Sequence, residues 1–582
     1  MRSCSTTGES RMGWYLRVVW LTVMVLAGLL VMSRSKADPD LWGHVQYGKE
    51  VLRDGHLHPT TTWSYAVQDY RWINHEIVAE LLFATADNVA GQTGLLLLRS
   101  VLTIVLLGLP LWYARHRGAG LITSAIVICV VALGISFHWL IRPHMLSYVC
   151  AAALICLLAT GVPGVVTDRS ENAAGAGRWL WLIPGLMCFW TNSHGGYLAG
   201  MAILTAWLGL DAIDLLVHRD RRLVAVVRHH AVLFAACCVG CLLNPYGLEL
   251  HTWMLSSLGR PRPEISEWAP LPIFSLAGLP FWIIALGTVL CLNRTKLPRR
   301  WPGFVIMGLL ALQALSHQRH LPFLAMMAAC VLAPHIESIV RQVAEHLAAR
   351  ASGSSATPRQ HRGSAVGLWV GCLIVSTLTV LQYSRQATLH VDRGFYPVSA
   401  LQFMADNQLR GRVLVTFNWA QYALATFAQT DPESQIAIDG RFRTCYPQAV
   451  IDMYFDFILG ESPSTGRYRE PSSGPFDPLR ALEYRSPDLV LLERNRHPEA
   501  TAVIRATSDW CLLYQDSLAE LWGRASRFSD RDSTDWLPEA SRHISNDPQA
   551  GSVAWPAYPV RHVARVLPVR RLAVAERYEN SR

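Results

Sequence analysis

The chain has 582 residues, of which 51% are hydrophobic and only 16% charged. Soluble domains carry nearer a quarter charged residues, so a wholly soluble protein is excluded. The net charge of +9 does not mark a nucleic-acid binder, because the basic residues sit in short loops between apolar runs, where they read as orientation signals.

Apolar runs predict about eleven transmembrane helices, near 14–32, 95–114, 121–137, 145–160, 179–191, 197–217, 231–243, 276–292, 302–315, 321–334 and 365–381. Several fall short of the ~20 residues of a straight crossing, so their polar flanks sit at the interface. The first run lacks a small-x-small cleavage site and reads as a retained anchor. One set of loops carries Arg115 and Arg117, then Arg219, Arg221 and Arg222, then Arg294, Lys296 and Arg299. These loops are expected in the cytoplasm, with the N-terminus. An odd number of spans places the C-terminal region outside.

The expected organisation is a membrane region over 1–385, with a long first outer loop over 33–94. An extracytoplasmic α/β domain over 386–524 and a disordered tail over 525–582 follow. Linker 351–363 reads as a flexible cytoplasmic loop. In the outer domain, 398–407 and 420–427 read as helices, 412–417, 436–438 and 488–492 as strands, and 510–522 as a hairpin. Most of the 13 cysteines lie in apolar runs, as small hydrophobes do. Pairing of Cys445 with Cys511 is left open.

The unusual polar residues all map to the outer connections. In order they are Asp38-Pro39-Asp40-Leu41-Trp42-Gly43-His44, Asn74-His75-Glu76, Arg142-Pro143-His144, Ser193-His194-Gly195-Gly196, Asn244-Pro245-Tyr246-Gly247, Glu264-Ile265-Ser266-Glu267-Trp268 and Arg319-His320. Ionisable residues at membrane depth are costly and usually functional. The residues after Asp40 predict an amphipathic helix along the membrane surface, capped by Asp38 or Asp40 and stopped by Gly55. Each motif alone has a plainer structural reading as a cap, turn or interface anchor. Their placement on one face points to one site built from several loops.

For a lipid-linked phosphate, Arg142, His144, Arg319 and His320 are the candidates to hold the phosphate as a leaving group. Asp38, Asp40 and Glu76 are the candidate general bases. A divalent cation would sit on Asp38 and Asp40. His44, His75, His194, Glu264 and Glu267 would complete the pocket.

These strings, with Ile438-Asp439-Gly440-Arg441, resemble a bacterial multi-pass branch of the GT-C glycosyltransferases, similar to galacturonosyl, mannosyl and arabinosyl transferases. The resemblance spans about 37–523. It implies a bacterial inner-membrane hexosyl or pentosyl transferase with a polyprenyl-phosphate sugar donor. The acceptor would be an extracytoplasmic glycan, lipid or protein. It also implies single displacement with inversion and an acidic base after the first span. The family's second acidic residue has two matches here, Glu76 and Glu264. A transporter or flippase and a non-catalytic assembly protein are the alternatives.

Overall fold

The computed structural model describes residues 5–167, 176–351, 360–461 and 466–560. The chain divides into two compact units. The first comprises residues 1–57, 73–389 and 464–468, and is helical. Its helices are α1 (Ser5–Met32), α2 (Leu41–Asp54), α3 (Ile77–His116), α4 (Leu121–Ser136), α5 (His144–Gly161), α6 (Ile183–Thr191), α7 (Tyr197–Val217), α8 (Leu223–Leu242), α9 (Leu248–Leu258), α10 (Leu279–Arg294), α11 (Trp301–Ser316), α12 (Leu321–Ala351) and α13 (Gln360–Gln386).

Every apolar run of the sequence overlaps one of these helices, although the 179–191 run is split between the 3-10 helix Ala176–Leu182 and the nine-residue α6. Among the described residues, eight helical stretches are long and apolar enough to cross a membrane, and α4 and α11 are shorter apolar helices. The protein is thus a polytopic membrane protein. Its centre is the first half of α12. Positions 321–333 of α12 are buried, as expected of a helix that is apolar all round. Small residues let α4 come close: a Cβ on Gly134 would stand 2.4 Å from Ala325 Cβ, the close-approach logic of membrane helices.

Two expectations about the first outer loop change. Helix α2 stops at Gly55, which takes φ +72° as the αL cap. Yet neither acid caps its start: Asp40 occupies the N-cap position and makes no side-chain cap bond. Nor is α2 a half-exposed surface helix, because residues 41–48 and Glu50 are buried. Its N-terminal half is enclosed by protein, pressed against α3 at Gly48. Helix α3 begins at Ile77, inside the span assigned to the loop, and kinks at Ala90–Gly91.

The second unit comprises residues 58–72, 390–463 and 469–582. Its strands are β1 (His390–Asp392), β2 (Arg412–Val415), β3 (Gln435–Ile436), β4 (Leu489–Glu493), β5 (Trp510–Gln515), β6 (Ala519–Arg524), β7 (His543–Ile544) and β8 (Ser552–Ala554). The main sheet has the order β3-β2-β4-β6-β5-β7. Strand β2 is parallel to β3 and β4, β6 is antiparallel to both β4 and β5, and β7 is parallel to β5. The expected helices (398–406 and 420–430 as found) and the β5–β6 hairpin are present. Cys445 and Cys511 are both free.

The tail is corrected as far as residue 560. Strand β7 joins the sheet, β8 pairs antiparallel with β1, and Trp555 is buried. Strands β7 and β8, two and three residues long, are too short to show a period, so the sequence does not mark them. Residues 561–582 and most of linker 351–363 lie outside the described residues. Residues 58–72 of the first outer loop also belong to this unit. Ile436 N donates to Trp63 O at 2.9 Å, Tyr65 N to Ile436 O at 3.0 Å, and Ser64 Oγ to Ala437 O at 2.6 Å.

Candidate active site

The loops after α1 and before α5 bring acids to one guanidinium. Asp38 Oδ1 accepts from Asp40 N at 3.0 Å, and the Leu41 N–H bonds back to Asp38 O. This turn aims both carboxylates at Arg142. Arg142 Nε donates to Asp38 Oδ1, and Nη1 lies 3.2 Å from Asp40 Oδ2 and 2.9 Å from Glu267 Oε1. Three carboxylates therefore share one guanidinium. Asp38 is buried, while Asp40 and Glu267 keep about a quarter of their side chains exposed, at 27% and 25%.

Burial pushes the Asp38 carboxyl up to about 6, against the pull of Arg142 and with the help of the Asp40 charge. Burial also acts on Glu267, but Arg142, His144 and Arg319 outweigh it and hold this carboxyl at about 2. His138 is driven down to about 4 by burial. Its carbonyl accepts from His144 Nε2 at 2.7 Å, which turns the His144 Nδ1 edge the other way.

Arg319 reaches the same neighbourhood differently. Its guanidinium lies over the Trp268 ring at 4.9 Å, and Arg262 covers that ring at 4.8 Å. Among the described residues, no carboxylate pairs with Arg319. A cation on an aromatic face, near Glu267 yet unpaired, keeps its N–H groups for another anion.

A second group surrounds Glu76. Its Oε2 is 4.0 Å from His44 Nδ1, and its Oε1 is 3.9 Å from His75 Nε2 and 3.8 Å from His194 Nε2. Glu80, one helical turn on, stands 3.6 Å from His44 Nδ1. Asn74 organises the turn: its Nδ2 donates to Glu80 Oε2 at 2.6 Å and its Oδ1 accepts from Glu76 N at 3.1 Å. Asn74 N in turn donates to Tyr246 Oη at 2.9 Å. The Asn244-Pro245-Tyr246-Gly247 turn is thus a support for the Asn-His-Glu loop.

His194 has a defined tautomer. Its Nδ1 accepts from Gly196 N at 3.0 Å and meets Ser147 Oγ at 2.8 Å. The remaining proton is on Nε2, toward Glu76. Burial and the nearby Arg319 charge keep His194 neutral, well below the usual histidine range. The two glycines after it sit in tight surroundings, Gly196 the more constrained because the flexible Met254 can move away from Gly195. A Cβ on Gly196 would stand 2.4 Å from Ser147 Oγ, and one on Gly195 would stand 2.2 Å from Met254 Cε. For His44, burial lowers the affinity for a proton, but the nearby carboxylates of Glu80, Glu76 and Asp40 raise it overall.

Asp38, Asp40, Arg142 and Glu267 therefore converge, as do His44, His75, Glu76 and His194. The His144 ring lies 6.3 Å from that of His194. His320 is set apart among aromatic rings, 6.4 Å from Trp268 and 6.1 Å from Phe323. Glu264 is also elsewhere: its Oε1 accepts from Tyr468 N at 2.6 Å and ties down that chain segment. Asp38 and Asp40 face Arg142. Among the described residues, the one His/Cys/Asp/Glu group spaced for a metal ion is His44, Glu76 and Glu80. Glu80 and His138 were missed in the sequence. Glu80 follows Glu76 by one turn and His138 precedes His144 by six residues, the only signals either gave.

No protein-family model matches the chain, and no curated protein matches its sequence. Solved structures do. The oligosaccharyltransferase of Archaeoglobus fulgidus, tethered to an acceptor peptide containing the NVT sequon, superposes with a TM-score of 0.50 at 11% identity, over 88% of this chain and 74% of that one. The same organism's AglB with an inhibitory peptide and a dolichol-phosphate gives 0.50 at 11% identity, over 82% and 69%. ArnT from Cupriavidus metallidurans, bound to undecaprenyl phosphate, gives 0.49 at 11% identity, over 92% and 100%. At such identities the likeness is one of fold. The chain shares the fold of the archaeal oligosaccharyltransferase.

Proposed function

We propose that the protein is a membrane glycosyltransferase that moves a sugar from a polyprenyl-phosphate donor to an extracytoplasmic acceptor. The observation that carries this reading is the unpaired Arg319 guanidinium beside an acid-rich cluster of the outer loops. The AglB structure of the same fold holds a dolichol-phosphate, which supports a lipid phosphate here too.

In the proposed step, Arg319, aided by Arg142, holds the donor phosphate. The acceptor oxygen attacks the anomeric carbon from the opposite side, and the bond from that carbon to the phosphate oxygen breaks. Polyprenyl phosphate leaves with the bond's electron pair, and the sugar inverts. Asp40 takes the acceptor proton. Its exposure, 27% against 4% for the Asp38 side chain, supports that choice. Asp38 holds Arg142 in place, and Glu76, steadied by His75 and His194, faces the remaining polar side. Zinc-like or magnesium-like chemistry at Asp38 and Asp40 is not needed for this arrangement, because Arg142 already lies between those carboxylates.

The charged loops support a cytoplasmic N-terminus and a C-terminal region outside, and the resemblance of the motifs supports a bacterial inner membrane. Buried acids within spans, which a transporter would use, are locally engaged: Asp211 lies 3.7 Å from His230, and Asp214 accepts from Trp301 Nε1 at 2.9 Å.

Binding of polyprenyl phosphate to the detergent-purified protein, read by native mass spectrometry, tests the reading. Expected is binding that Arg319→Ala weakens about 10–100-fold, the worth of one charge-assisted contact. Equal binding by both proteins would remove Arg319 from the donor site.

A further inference from the structure

Helices α2 and α3 cross with Gly48 against the backbone of Glu80. A Cβ at position 48 would stand 2.2 Å from the Glu80 carbonyl oxygen, so the crossing tolerates only glycine. The Lys49–Asp87 pair at 2.6 Å closes the next turn. This close packing brings in His44, one turn before Gly48. His44 is 7% exposed, and its Nδ1 is buried without a hydrogen bond. An unsatisfied buried nitrogen costs about 1–3 kcal/mol and calls for a partner.

What it faces is two carboxylates at a separation too long for hydrogen bonds. Nδ1 lies 3.6 Å from Glu80 Oε1 and 4.0 Å from Glu76 Oε2, and the three ligand atoms all lie within 4.8 Å of one another. Ligands at about 2.0–2.2 Å around a tetrahedral ion stand roughly 3.3–3.6 Å apart. His44 and Glu80 already stand at that spacing, and the triad as a whole, within 4.8 Å, reaches it by a contraction on the order of 1 Å at its widest edge. Its supports resemble those of a built metal centre. Asn74 fixes the other oxygen of Glu80, and Tyr246 fixes Asn74. Such outer partners set the orientation of ligating carboxylates.

We propose that His44, Glu76 and Glu80 form a binding site for a divalent first-row transition ion, of the zinc or manganese kind. One imidazole with two carboxylates suits those ions better than magnesium or calcium, which take oxygen ligands alone. The site is distinct from Asp38 and Asp40, whose charges meet Arg142. Three protein ligands leave a coordination position for water. The ion fixes Glu76 through Oε2 and leaves Oε1 toward His75 and His194. The site does not depend on the transferase reading.

The test is metal content of the full-length protein in detergent, stripped with chelator, dialysed against zinc or manganese and read by elemental mass spectrometry. Expected is about one ion per chain for the wild type and for Asp38→Asn. His44→Ala, Glu80→Gln and the more exposed Glu76→Gln should each fall at least tenfold, read on the monodisperse fraction. Gly48→Ala should also lose the ion, although it removes no ligand. Equal content in the wild type and in both glutamate variants would mean that a proton, not an ion, bridges His44, and would overturn the proposal. Loss in Asp38→Asn with retention in Glu80→Gln would overturn it as well, by moving the ion to the other acids.

Discussion

The molecule holds two aspartate–arginine clusters built to opposite ends. In the second unit, Asp439 is fully buried and meets one arginine. Arg441 donates to it from its backbone N at 2.9 Å, from Nε at 2.9 Å and from Nη2 at 2.6 Å, and Tyr446 Oη donates at 2.8 Å. Arg441 also lies over the Trp72 ring at 4.6 Å and donates to Thr61. Burial alone would raise the Asp439 carboxyl, but Arg441 more than offsets it and holds it below the usual range. In the first unit, three carboxylates divide Arg142, and the Asp38 carboxyl is pushed up instead. A closed, balanced pair is a fastener. An open cluster with excess negative charge, beside an unpaired Arg319, is poised for chemistry.

Substitutions can break or sharpen that contrast. The largest effect is expected of Asp40→Asn. It should cut sugar transfer by at least about 10²–10⁴-fold, the usual worth of a general base, with little change in thermal unfolding. Asp439→Asn should do the reverse. Removing one partner of a buried pair costs about 3–5 kcal/mol, so the yield and melting temperature should fall while surviving protein keeps its specific activity.

Arg142→Met comes next, since it leaves three carboxylates facing each other. A loss of about 3 kcal/mol is expected in denaturant or thermal unfolding, along with lost transfer. By contrast Arg319→Ala removes a stacked but unpaired cation. Its stability cost should stay near 1 kcal/mol or less, with the loss appearing in donor binding. The smallest effect is expected of Glu264→Gln. It weakens one bond to Tyr468 N, worth about 1 kcal/mol, and should leave transfer kinetics unchanged. A tenfold loss of transfer would return Glu264 to the site.

The two regions also differ in how much their residues disclosed in sequence. The membrane helices were legible because apolar runs recur between polar loops, even where a run is shorter than a full crossing. The site motifs were legible because charges are rare there, so Asp38, Asp40, Arg142 and Glu267 stood out. Glu80 did not, because an acid in the first turn of α3 reads as a favourable helix-dipole residue. Its meeting with His44 depends on the helix crossing at Gly48, and a lone glycine does not announce a crossing. The structural part played by Asn244-Pro245-Tyr246-Gly247 was equally hidden, since its tyrosine reaches a loop 172 residues away in sequence. In the second unit, strands β2 to β6 were readable. The short β7 and β8, and the contribution of residues 58–72, were not.

The most direct test follows the fate of the donor. Wild-type protein and Asp40→Asn, shown to bind polyprenyl phosphate equally, would be supplied with a pool of polyprenyl-phosphate sugars and membrane extract as acceptor. Release of polyprenyl phosphate would then be timed. Expected is release by the wild type and none above background by Asp40→Asn. Equal release by both, or none by a wild type that binds the lipid phosphate, would contradict the assignment of this cluster as a transferase site.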